Sequence, residues 1–155
     1  MSKPRIDEID RKILDILQEN ARITNADIAR QINLVPSATL ERVRRLEKMK
    51  ILKGYHACVD PIKMDYSFLA FVYIKTENRF YTSNPKPFIQ YKEIQEVHHV
   101  AGEDCFLLKV RTKDTPHFNR FLQQVILKTE GVKETRSVIV METNKETLCI
   151  PVEEM

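Results

Sequence analysis

Arg42, Arg44 and Arg45 stand close together, a few positions after two hydroxyl residues, Ser37 and Thr39. A guanidinium is a planar fork of donors that matches phosphate oxygens and the acceptor edge of guanine, and a short hydroxyl can reach either phosphate or base edges in a major groove. This is binding chemistry for a polyanion, not bond-making chemistry. The element that must present it is a helix over Pro36–Leu46. Leu40, Val43 and Leu46 recur at helical spacing and form a buried stripe, leaving Ser37, Thr39, Glu41, Arg42, Arg44 and Arg45 on the remaining faces. Taken alone, the same composition also fits an ordinary solvated helix face.

Other chemistries find less support. His98 and His99 are adjacent on a strand-like stretch, so their rings point to opposite faces and cannot serve one metal or haem site. Cys58, Cys105 and Cys149 are far apart, with no Cys-x-x-Cys or Cys/His ligand spacing, which argues against a disulfide framework or a zinc site and for a reducing compartment. There is no Ser/His/Asp or Cys/His set at readable spacing and no glycine-rich phosphate loop, and the chain has 3 glycines in all. We expect no catalytic residues, no metal and no cofactor.

The charge distribution favours the binding reading. Of 155 residues, 43% are hydrophobic and 30% charged, as in a globular protein. Residues 1–60 hold 12 Lys+Arg against 9 Asp+Glu, residues 61–155 hold 13 against 13, and residues 36–55 hold six basic to two acidic. The excess of +3 therefore lies around the arginine helix, where it attracts a polyanion. The N-terminus lacks the apolar core of a signal peptide, and no stretch reaches the ~18 apolar residues of a membrane span. A cytoplasmic protein without a membrane partner is expected.

Two helices precede the arginine helix. Asp7 and Asp10 place carboxylates at a helix start, and Ile9, Ile13, Ile16 and Leu17 follow at helical spacing, giving a helix over about 8–18. Asn20–Ile23 reads as a turn. Thr24 with Asp27 three residues on resembles a capping box, opening a short helix that carries Ile28, Ala29 and Ile32. Asn33, Leu34 and Val35 then connect to Pro36, a length suited to two helices crossing steeply, which is a helix-turn-helix pattern. Residues 51–59 form a strand pair or an extended arm, and Pro61 to Asp65 a hinge.

From Ser67 the pattern changes. Ser67–Lys75 is a nearly continuous apolar, β-prone run, read as a strand buried on both faces. Asn84 and Pro85 open a short helix, Glu96–Val100 and Cys105–Arg111 form a hairpin about Gly102-Glu103-Asp104, and Asp114 opens a helix stopped by Gly131. Val132–Met141 is the last strand. The order β-α-β-β-α-β defines a ferredoxin-like sheet with both helices on one face. Its other face, apolar along the first strand, requires a cover, for which a second subunit is the expected partner.

Ile6–Leu14, Asn20-Ala21-Arg22, Asp27-Ile28-Ala29, Leu40–Glu47, Ile51–Tyr55 and Val59-Asp60-Pro61 together resemble the DNA-binding half of the Lrp/AsnC (leucine-responsive/asparagine-regulator) family, and the resemblance continues past residue 141. It implies an α+β protein: a winged helix-turn-helix domain over residues 1–60, a linker over 61–66 and a ferredoxin-like oligomerisation and effector-binding (RAM-type) domain over 67–155. It implies a transcriptional regulator that binds double-stranded DNA through Ser37, Thr39, Arg42, Arg44 and Arg45. It also implies a homo-oligomer, a dimer assembling into tetramers or octamers, with an amino acid or related effector bound between dimers. The family's effector positions fall on Gly102, Asp104, Asp114, Thr135 and Ser137. Gly102, lacking a side chain, would let a ligand approach the backbone. Asp114 is equally explained as a helix cap.

Two departures qualify the match. The family usually has Ser or Thr just before the proline of the recognition helix, and this chain has Val35, so either the helix starts without a side-chain cap or Ser37 takes over capping. The hairpin has Asp104 then Cys105 where the family often has an aromatic residue then Asp. An effector-independent DNA-architectural protein is the alternative, and a haem-pathway decarboxylase relative a weaker one, because the tryptophan-containing signature of such relatives is missing from a chain without Trp.

Overall fold

Asp7 and Asp10 start the first helix by capping each other. The Asp10 backbone N–H donates to Asp7 Oδ1 at 2.8 Å and the Asp7 N–H donates to Asp10 Oδ2 at 3.0 Å, satisfying two amides that a helix start leaves without partners. The computed structural model describes residues 6–77, 85–102 and 105–152. They form two compact units, residues 6–58 with 146–152, and the described residues between 59 and 145.

The first unit packs α1 (Glu8–Glu19), α2 (Asn25–Gln31) and α3 (Pro36–Lys48). Thr24 caps α2, its hydroxyl accepting from the Asp27 N–H at 3.1 Å. Ile13, Leu14, Leu17, Ile28, Val43 and Leu46 form the core. Ala29, 1% exposed, suits the close α2–α3 crossing. Asn33, at φ 55, turns the chain between the two helices. Beyond α3 there is no strand among the described residues of this unit. Residues 53–58 are exposed and take no regular secondary structure, so the strand pair allowed there by the sequence is not formed. The chain end also departs from the expected 67–155 domain, because residues 146–152 belong to the first unit. There the Gln18 side-chain amide donates to the Ile150 carbonyl at 2.9 Å and accepts from the Ile150 N–H at 2.8 Å, as a neighbouring strand would. Arg11 donates to the Val152 carbonyl at 3.0 Å.

The second unit has β1 (Phe68–Thr76), α4 (Lys86–Ile89), β2 (Ile94–His99), β3 (Phe106–Thr112), α5 (Thr115–Phe121) and β4 (Val132–Ile139). The sheet order is β2-β3-β1-β4, antiparallel throughout, the ferredoxin-like arrangement expected from the element order. Ala70, Val72 and Ile74 of β1 and Phe106, Leu108 and Val110 of β3 pack under Phe88, Phe118, Phe121 and Ile126 from the helical side. On the opposite face Leu69 is buried but Phe71 and Tyr73 are only half-buried, so β1 is fully covered on one face and partly on the other, whereas the sequence suggested burial on both. That open face is also less apolar than β1 alone implied. Lys109 Nζ donates to Glu96 Oε1 at 2.9 Å, and the Arg136 guanidinium lies 4.0 Å from the Tyr73 ring centroid.

Two element ends differ from expectation. α5 widens into a π-helical turn over Leu122–Ile126, and Gly131, at φ 83, leads into β4 instead of stopping the helix. Pro85 begins α4 with no side-chain cap, while Asn84, expected to cap it, lies outside the described residues.

Candidate nucleic-acid interface and effector positions

The faces of α3 follow from its period. Thr39, Val43 and Leu46 point inward and are buried, while Ser37, Glu41, Arg44, Arg45 and Lys48 are exposed at spacings of four, three, one and three, a continuous outer stripe. Thr39 corrects the sequence reading. Its side chain is 0% exposed and its hydroxyl donates to the Val35 carbonyl at 3.3 Å, so it reaches no base, because the core accepts a small β-branched residue at this crossing while Leu40 sits half-buried beside it. Val35 is the N-cap, with no side-chain cap bond, and Ser37 stays exposed on the outer stripe. The first of the two capping alternatives holds.

Arg42 and Arg45 are not loose surface cations. Arg42 Nη1 donates to Asp7 Oδ1 and Oδ2 at 2.9 and 2.8 Å and to Asp10 Oδ1 at 2.9 Å, and Arg45 Nη2 donates to Asp10 Oδ2. The Asp10 N–H bond, with the Arg42 guanidinium beside it, holds the Asp7 carboxyl at about 2, and Asp7 in turn raises Arg42. Arg42 keeps 27% of its side chain exposed and Arg45 47%, so Arg42 is largely engaged by α1 while Arg45 still presents half its surface. These two carboxylate partners escaped the sequence reading, which treated Asp7 and Asp10 as a helix start only. A signal existed: Asp10 falls on the stripe of Ile13 and Leu17, and an acid on a buried stripe requires a cation. Arg44, exposed, lines a cleft of about 260 Å³ with Leu40, Glu47 and Tyr55. There the Tyr55 hydroxyl donates to Glu47 Oε1 at 2.9 Å, and burial, with Glu47 beside it, raises its pKa to about 12.

The effector positions divide between the two ends of the sheet. Thr135 pairs with Ile74, Ile74 with Phe106, and Phe106 with His99, so Thr135 shares a sheet end with the β2–β3 connection that holds Gly102. Ser137 lies next along the same face of β4, opposite Val72. Gly102 has φ 135, and a Cβ built there meets nothing within 4 Å. Asp104 lies outside the described residues. Asp114 follows β3 at the opposite end, two residues past Thr112, which lies six residues beyond Phe106 along the strand and so roughly 20 Å from it. Its carboxylate accepts from the His117 N–H at 2.6 Å as the cap of α5. Within one chain Asp114 does not join the others, and its capping of α5 is the structural explanation that the sequence also offered.

His98 and His99 do point apart: His98 Nε2 lies 2.9 Å from Glu96 Oε2 on the open face, and His99 stacks 5.4 Å from Phe106 on the helical side. Among the described residues no group of three or more His, Cys, Asp or Glu side chains could hold a metal, and no helix is long and apolar enough to cross a membrane.

A three-helix unit with a short α2–α3 turn and a basic outer stripe, carried on a chain with a ferredoxin-like sheet, defines the class of helix-turn-helix DNA-binding proteins with a sheet domain. Residues 6–47 match the AsnC-type helix-turn-helix domain and residues 69–148 match the Lrp/AsnC ligand binding domain. The leucine-responsive regulatory protein of Escherichia coli K12 is 40% identical over 149 residues, covering 92% of this chain and 88% of that protein. Among solved structures, a transcriptional regulator from Neisseria meningitidis in complex with L-Met superposes with a TM-score of 0.89 at 27% identity, covering 96% of this chain and 97% of that one. An AsnC family transcriptional regulator from Agrobacterium tumefaciens gives 0.87 at 28%, covering 95% and 97%. The chain belongs to the Lrp/AsnC family of transcriptional regulators. These relatives are regulators and not enzymes.

Proposed function

We propose that this regulator acts in the cytoplasm as a homo-oligomer, reads double-stranded DNA with the outer stripe of α3 and is modulated by an amino acid. The observation that carries the DNA reading is that stripe: Ser37, Arg44, Arg45 and Lys48 lie on one exposed face of the second helix of the helix-turn-helix. Arg44 makes the phosphate or base contact least constrained by its own unit, Ser37 stands at the N-terminal end where base edges are reached, and Arg45 contributes its exposed half. Arg42 acts mainly as a support.

The amino-acid reading is supported by the matched ligand binding domain and by the L-Met complex of the Neisseria relative. Gly102, Thr135 and Ser137 share one sheet end and form the effector candidates of a single chain. Asp114 reaches the same site only from another copy. The half-buried Phe71 and Tyr73 on the open sheet face support a second subunit as their cover.

Duplexes enriched from a random pool by the full chain test the DNA reading. Arg44→Ala should weaken binding to them with a salt slope smaller by about one if the contact is to phosphate, or relax the selected sequence if it is to a base. Unchanged affinity and sequence preference would refute the assignment of Arg44. A thermal-shift screen over the twenty amino acids tests the second part, since a ligand of the native state raises its stability by RT ln(1 + [L]/Kd).

A further inference from the structure

Asp10 is the only acidic residue buried among those described, at 0% exposure. It sits on the inner stripe of α1 beside Ile13, yet both its oxygens are directed at α3. Oδ1 accepts from Arg42 at 2.9 Å, and Oδ2 accepts from Arg45 and from the Asp7 N–H. Asp7 closes the set by taking the same Arg42 nitrogen. Two carboxylates and two guanidinia thus form a neutral ladder joining the start of α1 to the middle of α3.

We infer that Asp10 is a positioning residue that sets DNA specificity: it fixes Arg45 and Arg42 on the groove-facing helix and cancels their charge toward DNA of arbitrary sequence. The inference rests on the reading of α3 as the helix that enters the groove. A guanidinium offers five N–H donors, and Asp10 engages one nitrogen of Arg45, so the fork keeps donors for a base edge while its side chain no longer has to be ordered on binding. Affinity for arbitrary sequence comes instead from displaced counterions, and a cation already neutralised by a buried carboxylate displaces fewer of them. The ladder therefore lowers non-specific binding more than specific binding, and the ratio between the two is what selects a site among many competitors. A carboxylate that only braced α1 against α3 would affect both kinds of binding alike.

The test uses the full chain and two duplexes, one enriched by the wild type from a random pool and one with the same bases scrambled, each titrated at salt from about 50 to 200 mM. Asp10→Asn removes the charge at nearly constant size. It should bind the scrambled duplex several-fold tighter with a salt slope steeper by about one, bind the enriched duplex no tighter, and so lower the ratio about tenfold. Asp7→Asn keeps a competent cap and removes one of the two carboxylates that hold Arg42 while leaving Asp10 in place, so it should move slope and ratio the same way by less. Circular dichroism checks each fold, and if Asp10→Asn does not fold, Asp7→Asn decides by the same two readouts. The inference is overturned if the folded variants keep the wild-type ratio and slope, or lose affinity for both duplexes in parallel. A wild type that enriches no sequence refutes the groove reading of α3 itself, a different failure seen before any variant is made.

Discussion

Replacing Val35 by Thr should tighten the start of α3. Val35 already has the extended backbone of an N-cap, φ −79 and ψ 147, and its carbonyl accepts from the Thr39 N–H at 3.1 Å, but it offers no side-chain acceptor to the first-turn amides. A Thr hydroxyl at that position can accept from the N–H of Ser37 or Ala38, a contribution of about 1 kcal/mol. The loss is small. Val35 is 60% exposed and stands apart from the core of its unit, so exchanging one methyl for a hydroxyl forfeits only about 0.3 kcal/mol of burial. The net gain of about 0.7 kcal/mol corresponds to about threefold slower exchange of the Ala38 amide, if that amide exchanges by local opening of the helix start. Native-state hydrogen exchange reads this without requiring the two units to melt together. Val35→Ala, which loses apolar contact and adds no acceptor, is the control. Equal Ala38 protection in the Thr and Ala variants would refute the claim that α3 lacks a cap the backbone is shaped to receive.

Two further outcomes follow from the charges and the backbone. The Asp7 carboxyl is held at about 2 against a usual 3.8, so its contribution is present above the unfolded value and is lost as pH falls through the folded one, between about pH 5 and pH 2. Asp7 is half-exposed and the effect is screened to about 1 kcal/mol or less, so acid unfolding of Asp7→Asn should show a correspondingly flatter loss of stability over that window. Gly102→Val places a β-branched residue at φ 135, where space is open but the backbone conformation is strained. Sedimentation with and without the amino acid giving the largest thermal shift should then lose its ligand-dependent change while binding to one DNA site persists, and a normal response would remove Gly102 from the effector site.

Regular elements were legible because each carries its own period. Ile13 and Leu17 in α1, Val43 and Leu46 in α3, and the apolar run of β1 mark helix and strand without knowledge of what they pack on. What packs across from a residue has no such local mark. Thr39 looked like a surface hydroxyl because its burial depends on the α2–α3 crossing, and Leu40 was assigned the inner place that Thr39 occupies. The last residues lacked periodicity and were assigned to the sheet domain, whereas residues 146–152 belong to the first unit through an amide side chain standing in for a strand. The effector positions came from family resemblance. The register adds that Thr135 and Gly102 share a sheet end and Asp114 does not.

The charge count of the arginine stretch illustrates the same limit and bears on how the protein meets DNA. Six basic residues between 36 and 55 suggest a strongly attractive surface, yet Arg42 and Arg45 face Asp7 and Asp10 from another helix. Arg44, Lys48, Lys50 and Lys53 are the exposed cations of that stretch outside the ladder. At about 0.9 in salt slope for each phosphate neutralised, four cations support a slope of at most about 3 to 4 per unit, against 5 or more for all six. Attraction to arbitrary DNA is accordingly weaker than the sequence implies, and discrimination depends more on where the outer stripe is held. The neutral ladder from α1 provides that hold, because it ties the middle of α3 to a capped helix start through a carboxylate that water does not reach.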